Sequence, residues 1–196
     1  DKKIEYVWFD TGLEYQATKE HLEYLEEKYD IEIQRKRAIK PIPIACRDYG
    51  QPFISKQISD YISRLQKHGF KWEDRPYDEL LSEYCVWDQK RQEWVGCKAA
   101  LRWWCNEWGE KSRFNISNNK FLKEYMIQNP PDFKISNYCC KGAKKDVLSK
   151  ALAVGEYDLN INGMRKAEGG VRSTAYKTCF VSDEEQKCDM YMPIWW

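Results

Sequence analysis

The sequence predicts an α/β fold: a doubly wound, mostly parallel sheet with flanking helices, carrying a helical, tryptophan-rich insertion at residues 70–112. Three observations predict it. A strand pattern, a helix pattern and a second strand pattern follow one another over residues 4–38. Polar loops follow the strand patterns at Asp10 and near Gly163, where ligands of open parallel sheets gather. Residues 70–112 hold six of the nine tryptophans and two helical patterns, which reads as an insertion over the sheet edge. At 196 residues the chain suits one domain, residues 1–196, with a single substantial core.

"IEYVWFD" (4–10) is rich in β-branched and aromatic residues and stops at Asp10-Thr11-Gly12, as a buried strand does on reaching a loop. The next segment predicts a helix capped by Thr18, with Leu22, Leu25 and Tyr29 on one face. "IEIQRKRA" (31–38) resumes a strand, which makes a parallel βαβ unit with a right-handed crossover. The prolines and glycine of residues 40–53 predict a loop, after which Ser55 caps a helix with an Ile58, Tyr61, Ile62 and Leu65 stripe. "RPYDELLSEY" and "CKAALRWWCNEW" predict the two helices of the insertion. A helix over 118–128 stops at Asn129-Pro130-Pro131, "FKISNYCC" is a short strand or loop, and "KKDVLSKALAVG" is a helix. Residues 157–165 predict a strand, and 178–195 two strands around the polar turn Ser182 to Gln186.

Charge sets a boundary on partners. Lys plus Arg total 32 against 31 Asp plus Glu, so no global basic field draws nucleic acid, and any anion site is local. No apolar run reaches the roughly 18 to 20 residues that span a bilayer. "DKKIEYVW" lacks the plan of a secretory leader, so the expectation is a cytoplasmic protein with no membrane partner. The eight cysteines are irregularly spaced, which points to metal or redox use rather than a disulfide framework. The chain opens without methionine and closes on "MPIWW", from which we expect native sequence beyond both ends.

Three polar loops carry the chemistry: Asp10-Thr11-Gly12, Cys139 to Lys145, and Gly163 to Arg172. Helix N-terminal amides, lysine ammoniums and arginine forks all bind phosphate or sulfate oxygens, so loops meeting on one sheet rim would suit a polyanionic nucleotide. The alternative for "KGAKK" is a solvated first helical turn, and for the arginine loop, turn glycines with surface charges. Cys139 and Cys140 either lie buried as small hydrophobes or act as thiolate ligands, with Lys141, Lys144 and Lys145 lowering their pKa. A four-thiolate cluster is incomplete within this sequence, because no C-x-x-C occurs in it. Cys179 and Cys188 either meet across the last hairpin pattern or lie in the core, and both histidines fall on helix patterns as surface groups.

The stretches "FDTGLEYQATKEHLEYL" (9–25), "YGQPFISKQIS" (49–59), "CCKGAKKDVL" (139–148), "GMRKAEGGVRS" (163–173) and "CDMYMPIWW" (188–196) resemble, in order and spacing, the phosphoadenosine phosphosulfate reductase family. That family belongs to the adenine nucleotide alpha-hydrolase superfamily. The resemblance implies that Asp10, Thr11, Gly12 and Gly163 lie beside an adenosine nucleotide, with Lys144, Lys145, Arg165 and Arg172 on its phosphate or sulfate. It implies that Cys139 and Cys140 are two ligands of an iron–sulfur cluster, the other two coming from a later C-x-x-C. The family's S-G-G-x-D-S loop would precede residue 4, and Gly169 stands where relatives commonly have serine.

The function implied is sulfur metabolism: reduction or transfer of sulfur from phosphoadenosine phosphosulfate or adenosine phosphosulfate, with a thiol electron donor such as thioredoxin. Two alternatives stand beside it. One is an ATP-dependent sulfurtransferase acting on nucleic acid. The other is a non-catalytic nucleotide-binding or interaction module that meets a protein partner through residues 70–112, for which exposure of Trp103, Trp104 and Trp108 is the discriminating feature.

Overall fold

The computed structural model describes residues 4–155, 157–168, 176–182 and 188–196, which divide into two compact units, one up to Ala143 and one from Lys144. The first unit opens with the expected βαβ element. Strand β1 (Tyr6–Asp10) and strand β2 (Ile33–Arg37) pair in parallel, from Tyr6 opposite Ile33 to Asp10 opposite Arg37, across helix α1 (Gln16–Tyr29). Helix α1 starts before the expected Thr18 cap, because the amides of Thr18 and Lys19 already donate to the Tyr15 carbonyl. Its end is set by Asp30, left-handed at φ +50°, whose amide returns to the Glu26 carbonyl. The Glu26 carboxylate accepts from the Ile33 amide at 2.8 Å and from Arg35 Nη2 at 2.6 Å, which ties helix to strand. Neither α1 nor β1 contains a fully buried residue: Leu22 and Leu25 are half-buried and Tyr29 is exposed, so the buried strand expected at 4–10 is only partly covered.

Residues 40–53 do not form the expected loop throughout. Helix α2 (Ile42–Tyr49) starts directly after Pro41 and carries Pro43 in its first turn. At those positions a proline has no intrahelical amide to forfeit and its fixed φ favours entry, so these prolines start a helix instead of breaking one. Helix α3 (Lys56–Lys67) matches its expectation: Ser55 Oγ accepts from the Ile58 amide at 3.2 Å, and Ile58, Tyr61, Ile62 and Leu65 are buried.

Residues 70–112 contain the two expected helices, α4 (Tyr77–Tyr84) and α5 (Lys98–Trp104). Between them lies an antiparallel hairpin that the composition did not announce, β3 (Cys85–Asp88) with β4 (Glu93–Gly96). This region supplies most of the core of the first unit. Phe70 meets Trp72, Tyr84 and Trp104 edge-on at centroid distances of 5.6, 5.1 and 5.4 Å, and Trp103 stacks on Tyr61 of α3 at 5.6 Å. The Trp104 Nε1 donor reaches the Glu73 carbonyl at 2.9 Å, so the ring is buried without an orphaned polar atom. Ile116, Leu122, Met126 and Ile135 close the same cluster, Leu122 and Met126 from helix α6 (Leu122–Gln128), which ends at Asn129 as predicted.

A single π-helical turn at Lys141–Lys145 leads into helix α7 (Asp146–Gly155). The second unit holds α7 and a three-stranded sheet in the order β5 (Leu159–Ile161), β7 (Asp189–Tyr191), β6 (Phe180–Val181). β5 runs parallel to β7, and β6 antiparallel to it, which bears out the expected strands at each end of the 178–195 segment. The described residues thus form a mixed α/β protein with sheets of two, two and three strands. Among them no helix is long and apolar enough to cross a membrane.

Candidate functional site

The site is built at the carboxyl end of β1. Asp10 ends the strand, its carbonyl accepts from Ala38 beyond β2 at 2.8 Å, and its Oδ1 accepts from the Gly12 amide at 2.9 Å. That side-chain-to-backbone bond closes an Asx turn. Thr11 is buried and donates its hydroxyl to Glu14 Oε1 at 2.6 Å. Gly12 sits at φ +84°, where a Cβ would come within 2.8 Å of Pro41 Cβ, so this turn is pressed against the entry to α2. The Thr11 carbonyl accepts from the Ile42 amide at 2.9 Å, which satisfies one of the open donors at the start of α2.

The cysteine segment docks on the same short stretch. Lys40 donates its amide to the Gly142 carbonyl at 3.3 Å, and a Cβ on Gly142 would lie 2.9 Å from Lys40 Cβ. Upstream, Gln51 donates to the Lys134 carbonyl at 2.8 Å and accepts from Ser136 at 2.9 Å, a one-residue parallel bridge centred on Ile135. Tyr49 and Tyr138 face each other at 6.4 Å, and Asn137 reaches Asp60 of α3 at 3.4 Å. Residues 40–51 therefore form a spine that holds the Asp10-Thr11-Gly12 turn and the Cys139 to Ala143 segment in one place.

Of the two cations of this spine, Lys40 and Arg47, Lys40 is the more enclosed. Its Nζ pairs with Asp48 Oδ2 at 2.7 Å and lies 4.4 Å from the centroid of the Tyr49 ring. The hydrogen bond to Asp48 and the contact with Tyr49 hold the ammonium above the usual lysine range. Lys40, followed by Arg47, holds the Asp48 carboxyl below the usual carboxylate range. Sequence reasoning passed over Lys40 and α2. The one signal available was the Pro41–Pro43 spacing, which marks a helix entry.

Cys139 and Cys140 are half-buried with their sulfurs 3.8 Å apart. Burial pushes the Cys139 thiol up, the Cys140 thiol adds to this, and Cys46 acts in the same direction; Lys56 opposes weakly. For Cys139 this corrects the expectation that the following lysines lower its pKa. Two sulfurs on one tetrahedral metal at about 2.3 Å would stand about 3.8 Å apart, so the pair fits two corners of a soft-metal site. The remaining corners are not supplied: among the described residues no group of three or more His, Cys, Asp or Glu is placed to hold a metal ion. Cys188 is buried and Cys179 exposed.

The other expected nucleotide contacts belong to the second unit. Lys144 and Lys145 are exposed at the end of the π-helical turn. At Gly163 an added Cβ would make ordinary van der Waals contact with Ile194 Cδ1 at 3.8 Å. Arg165 lies 3.9 Å from the Glu168 carboxylate, which also accepts its backbone amide at 3.4 Å. Arg172 lies outside the described residues. The structure thus joins Asp10, Thr11 and Gly12 with Cys139 and Cys140 through residues 40–51 of the first unit.

The tryptophans answer a separate question. Trp103 and Trp104 are buried and Trp108 half-buried under the Arg102 guanidinium, 4.1 Å from its ring centroid. The exposed apolar groups of this region are instead on the hairpin, Val86 and Trp87, with Trp87 edge-on to Trp94 at 5.7 Å. No protein-family model, curated protein or solved structure matches the chain.

Proposed function

We propose that the chain is a phosphoadenosine phosphosulfate reductase-like protein of sulfur metabolism, which binds an adenosine sulfonucleotide and reduces or transfers its sulfur in the cytoplasm. In this reading β1 and β2 belong to a doubly wound, mostly parallel sheet with the nucleotide at its carboxyl edge. The observation that carries it is the meeting of the Asp10-Thr11-Gly12 turn and the Cys139 to Ala143 segment on the Lys40–Ile42 stretch, at the carboxyl end of a parallel strand pair.

The turn and Lys40 of the first unit would seat the nucleotide; Lys144, Lys145, Arg165 and Arg172, for which the family resemblance implies phosphate or sulfate contacts, belong to the second unit. A cysteine thiolate attacks the sulfur of the sulfonucleotide, and the bond from that sulfur to the phosphate oxygen breaks. The adenosine phosphate leaves with the bonding pair, and a thiosulfonate remains on the cysteine. A thiol donor such as thioredoxin then attacks the cysteine sulfur and releases sulfite, taking the cysteine into a mixed disulfide. Cys139 and Cys140 would give two thiolates to an iron–sulfur cluster completed by ligands outside the described residues.

Calorimetric titration with adenosine phosphosulfate, phosphoadenosine phosphosulfate and ATP tests the proposal, together with iron and sulfide assay after anaerobic purification. Saturable binding of a sulfonucleotide is the expected result. Binding of ATP alone would favour the ATP-dependent sulfurtransferase acting on nucleic acid. A colourless protein that binds none of the three would overturn both and leave the interaction module, whose support is the exposed Val86 and Trp87 of the 70–112 region.

A further inference from the structure

We propose that Cys85 and Cys97 form an oxidisable thiol pair, a modification site at which a small hydroperoxide closes a disulfide across the base of the β3–β4 hairpin. This inference does not rest on the sulfonucleotide reading.

The pair is set by the hairpin itself. Cys85 opens β3 opposite Gly96, the last residue of β4, and Gly96 leaves the strand at φ +118°, a conformation that favours glycine. Cys97 follows it, and the two sulfurs lie 3.9 Å apart inside the core, twelve positions apart in sequence. Cys97 Sγ donates weakly to the Tyr84 carbonyl at 3.6 Å, and both residues belong to the cluster packed by α4 and α5. Side-chain rotation must bring the sulfurs to about 2 Å, giving up that weak bond. Cys139 and Cys140 are as close at 3.8 Å, but a bond between neighbouring residues closes a strained eight-membered ring. The hairpin pair carries no such penalty.

Access orders the steps. Cys85 is 6% exposed and Cys97 not at all, so the oxidant meets Cys85 first; burial and the Cys85 thiol push the Cys97 thiol up to about 12, which keeps it protonated at that stage. The Cys85 thiolate attacks one peroxide oxygen, the O–O bond breaks, and the hydroxide released takes up a proton to leave as water. The Cys97 sulfur then attacks the Cys85 sulfenic sulfur, the S–O bond breaks, and a second water leaves with the Cys97 proton. Two thiols lose two electrons and two protons, and one peroxide becomes two waters. A neutral oxidant the size of water suits a site this enclosed better than a bulky disulfide does.

The bond would link the carboxyl end of α4 to the start of α5 and clip the hairpin that displays Val86 and Trp87. To test it, the fully reduced chain is treated with equimolar hydrogen peroxide, alkylated, digested and read by mass spectrometry. The expected product is a Cys85–Cys97 cross-linked peptide, two hydrogens lighter than the reduced pair and restored by dithiothreitol, with the urea midpoint of the oxidised chain raised. In Cys97→Ala, a dimedone-type probe should label Cys85, because the sulfenic acid has lost its partner. Should that variant fail to fold, the wild-type cross-link decides the question alone. Alkylation of both residues after treatment, a link confined to Cys139 and Cys140, or irreversible oxidation of Cys85 without a link would each overturn the proposal.

Discussion

Two regions of the first unit differ in where their free energy comes from. The βαβ element and the stretch after it carry the proposed nucleotide site, yet α1 and β1 bury no residue fully and are held largely by backbone pairing and the Glu26 carboxylate. Residues 70–112 carry none of the expected site residues, yet they hold Trp72, Trp103, Trp104, Leu80 and Leu101 in one buried cluster. Stability and recognition are thus assigned to different segments. An aromatic core fixes α3, which touches the cysteine segment through Asn137, while the site itself lies outside that cluster, with Thr11 and Gly142 buried and Cys139 and Cys140 half-buried.

The comparison can be broken most severely at Trp104. Replacing it with alanine should cost about 3–5 kcal/mol in urea unfolding, since a fully buried ring and its bond to Glu73 are lost together. Leu25→Ala in the half-buried face of α1 should cost about 1 kcal/mol. Equal losses at the two sites would remove the distinction. Alkaline pH sharpens it next. Burial holds the Cys97 thiol, ordinarily at 9.0, near 12, and holds the Tyr84 phenol, ordinarily at 10.0, near the same value. A raised acid is kept neutral by the fold, so its contribution is complete below the ordinary value and is lost as pH rises towards 12. Stability should fall from about pH 9 upward, and Cys97→Ala should delay the onset of that fall.

A smaller effect is expected at the α3 cap, where Ser55→Ala should cost about 1 kcal/mol, measured as a shift in the denaturant midpoint at unchanged slope. The smallest belongs to Glu26. The Arg35 guanidinium, then the Ile33 amide, hold its carboxyl below the ordinary 4.5. A depressed carboxyl contributes above that value and loses the contribution as pH falls through its lower folded value. Glu26→Gln should flatten the acid limb of the stability curve and leave the alkaline limb unchanged.

The sequence patterns reached the βαβ unit, the Ser55 cap and the Ile58–Leu65 stripe because each is local: alternation, one capping oxygen, one helical period. They missed α2 because Pro41 and Pro43 read as breakers although both occupy entry positions. The β3–β4 hairpin was hidden for a similar reason. Its turn lacks an Asn-Gly or Asp-Gly pair, and Gln92 takes the left-handed conformation at φ +53° while Asp88 caps the Lys90 and Arg91 amides. At the candidate site, Asp10 to Gly12 and Cys139 with Cys140 stand out in the sequence by residue type. Their meeting does not, because it rests on two backbone hydrogen bonds, Ile42 to Thr11 and Lys40 to Gly142, that leave no side-chain signature.

The central claim is that the Lys40–Ile42 stretch welds a turn and a cysteine segment into one sulfonucleotide site. Gly142→Val tests it most directly, because an added Cβ falls 2.9 Å from Lys40 Cβ and must push the two segments apart. Calorimetry with adenosine phosphosulfate and phosphoadenosine phosphosulfate should show saturable binding to the native chain and at least tenfold weaker binding to the variant, measured in buffer where urea unfolding shows the variant still folded. Native binding that the substitution leaves untouched, or no binding by the native chain, would contradict the account.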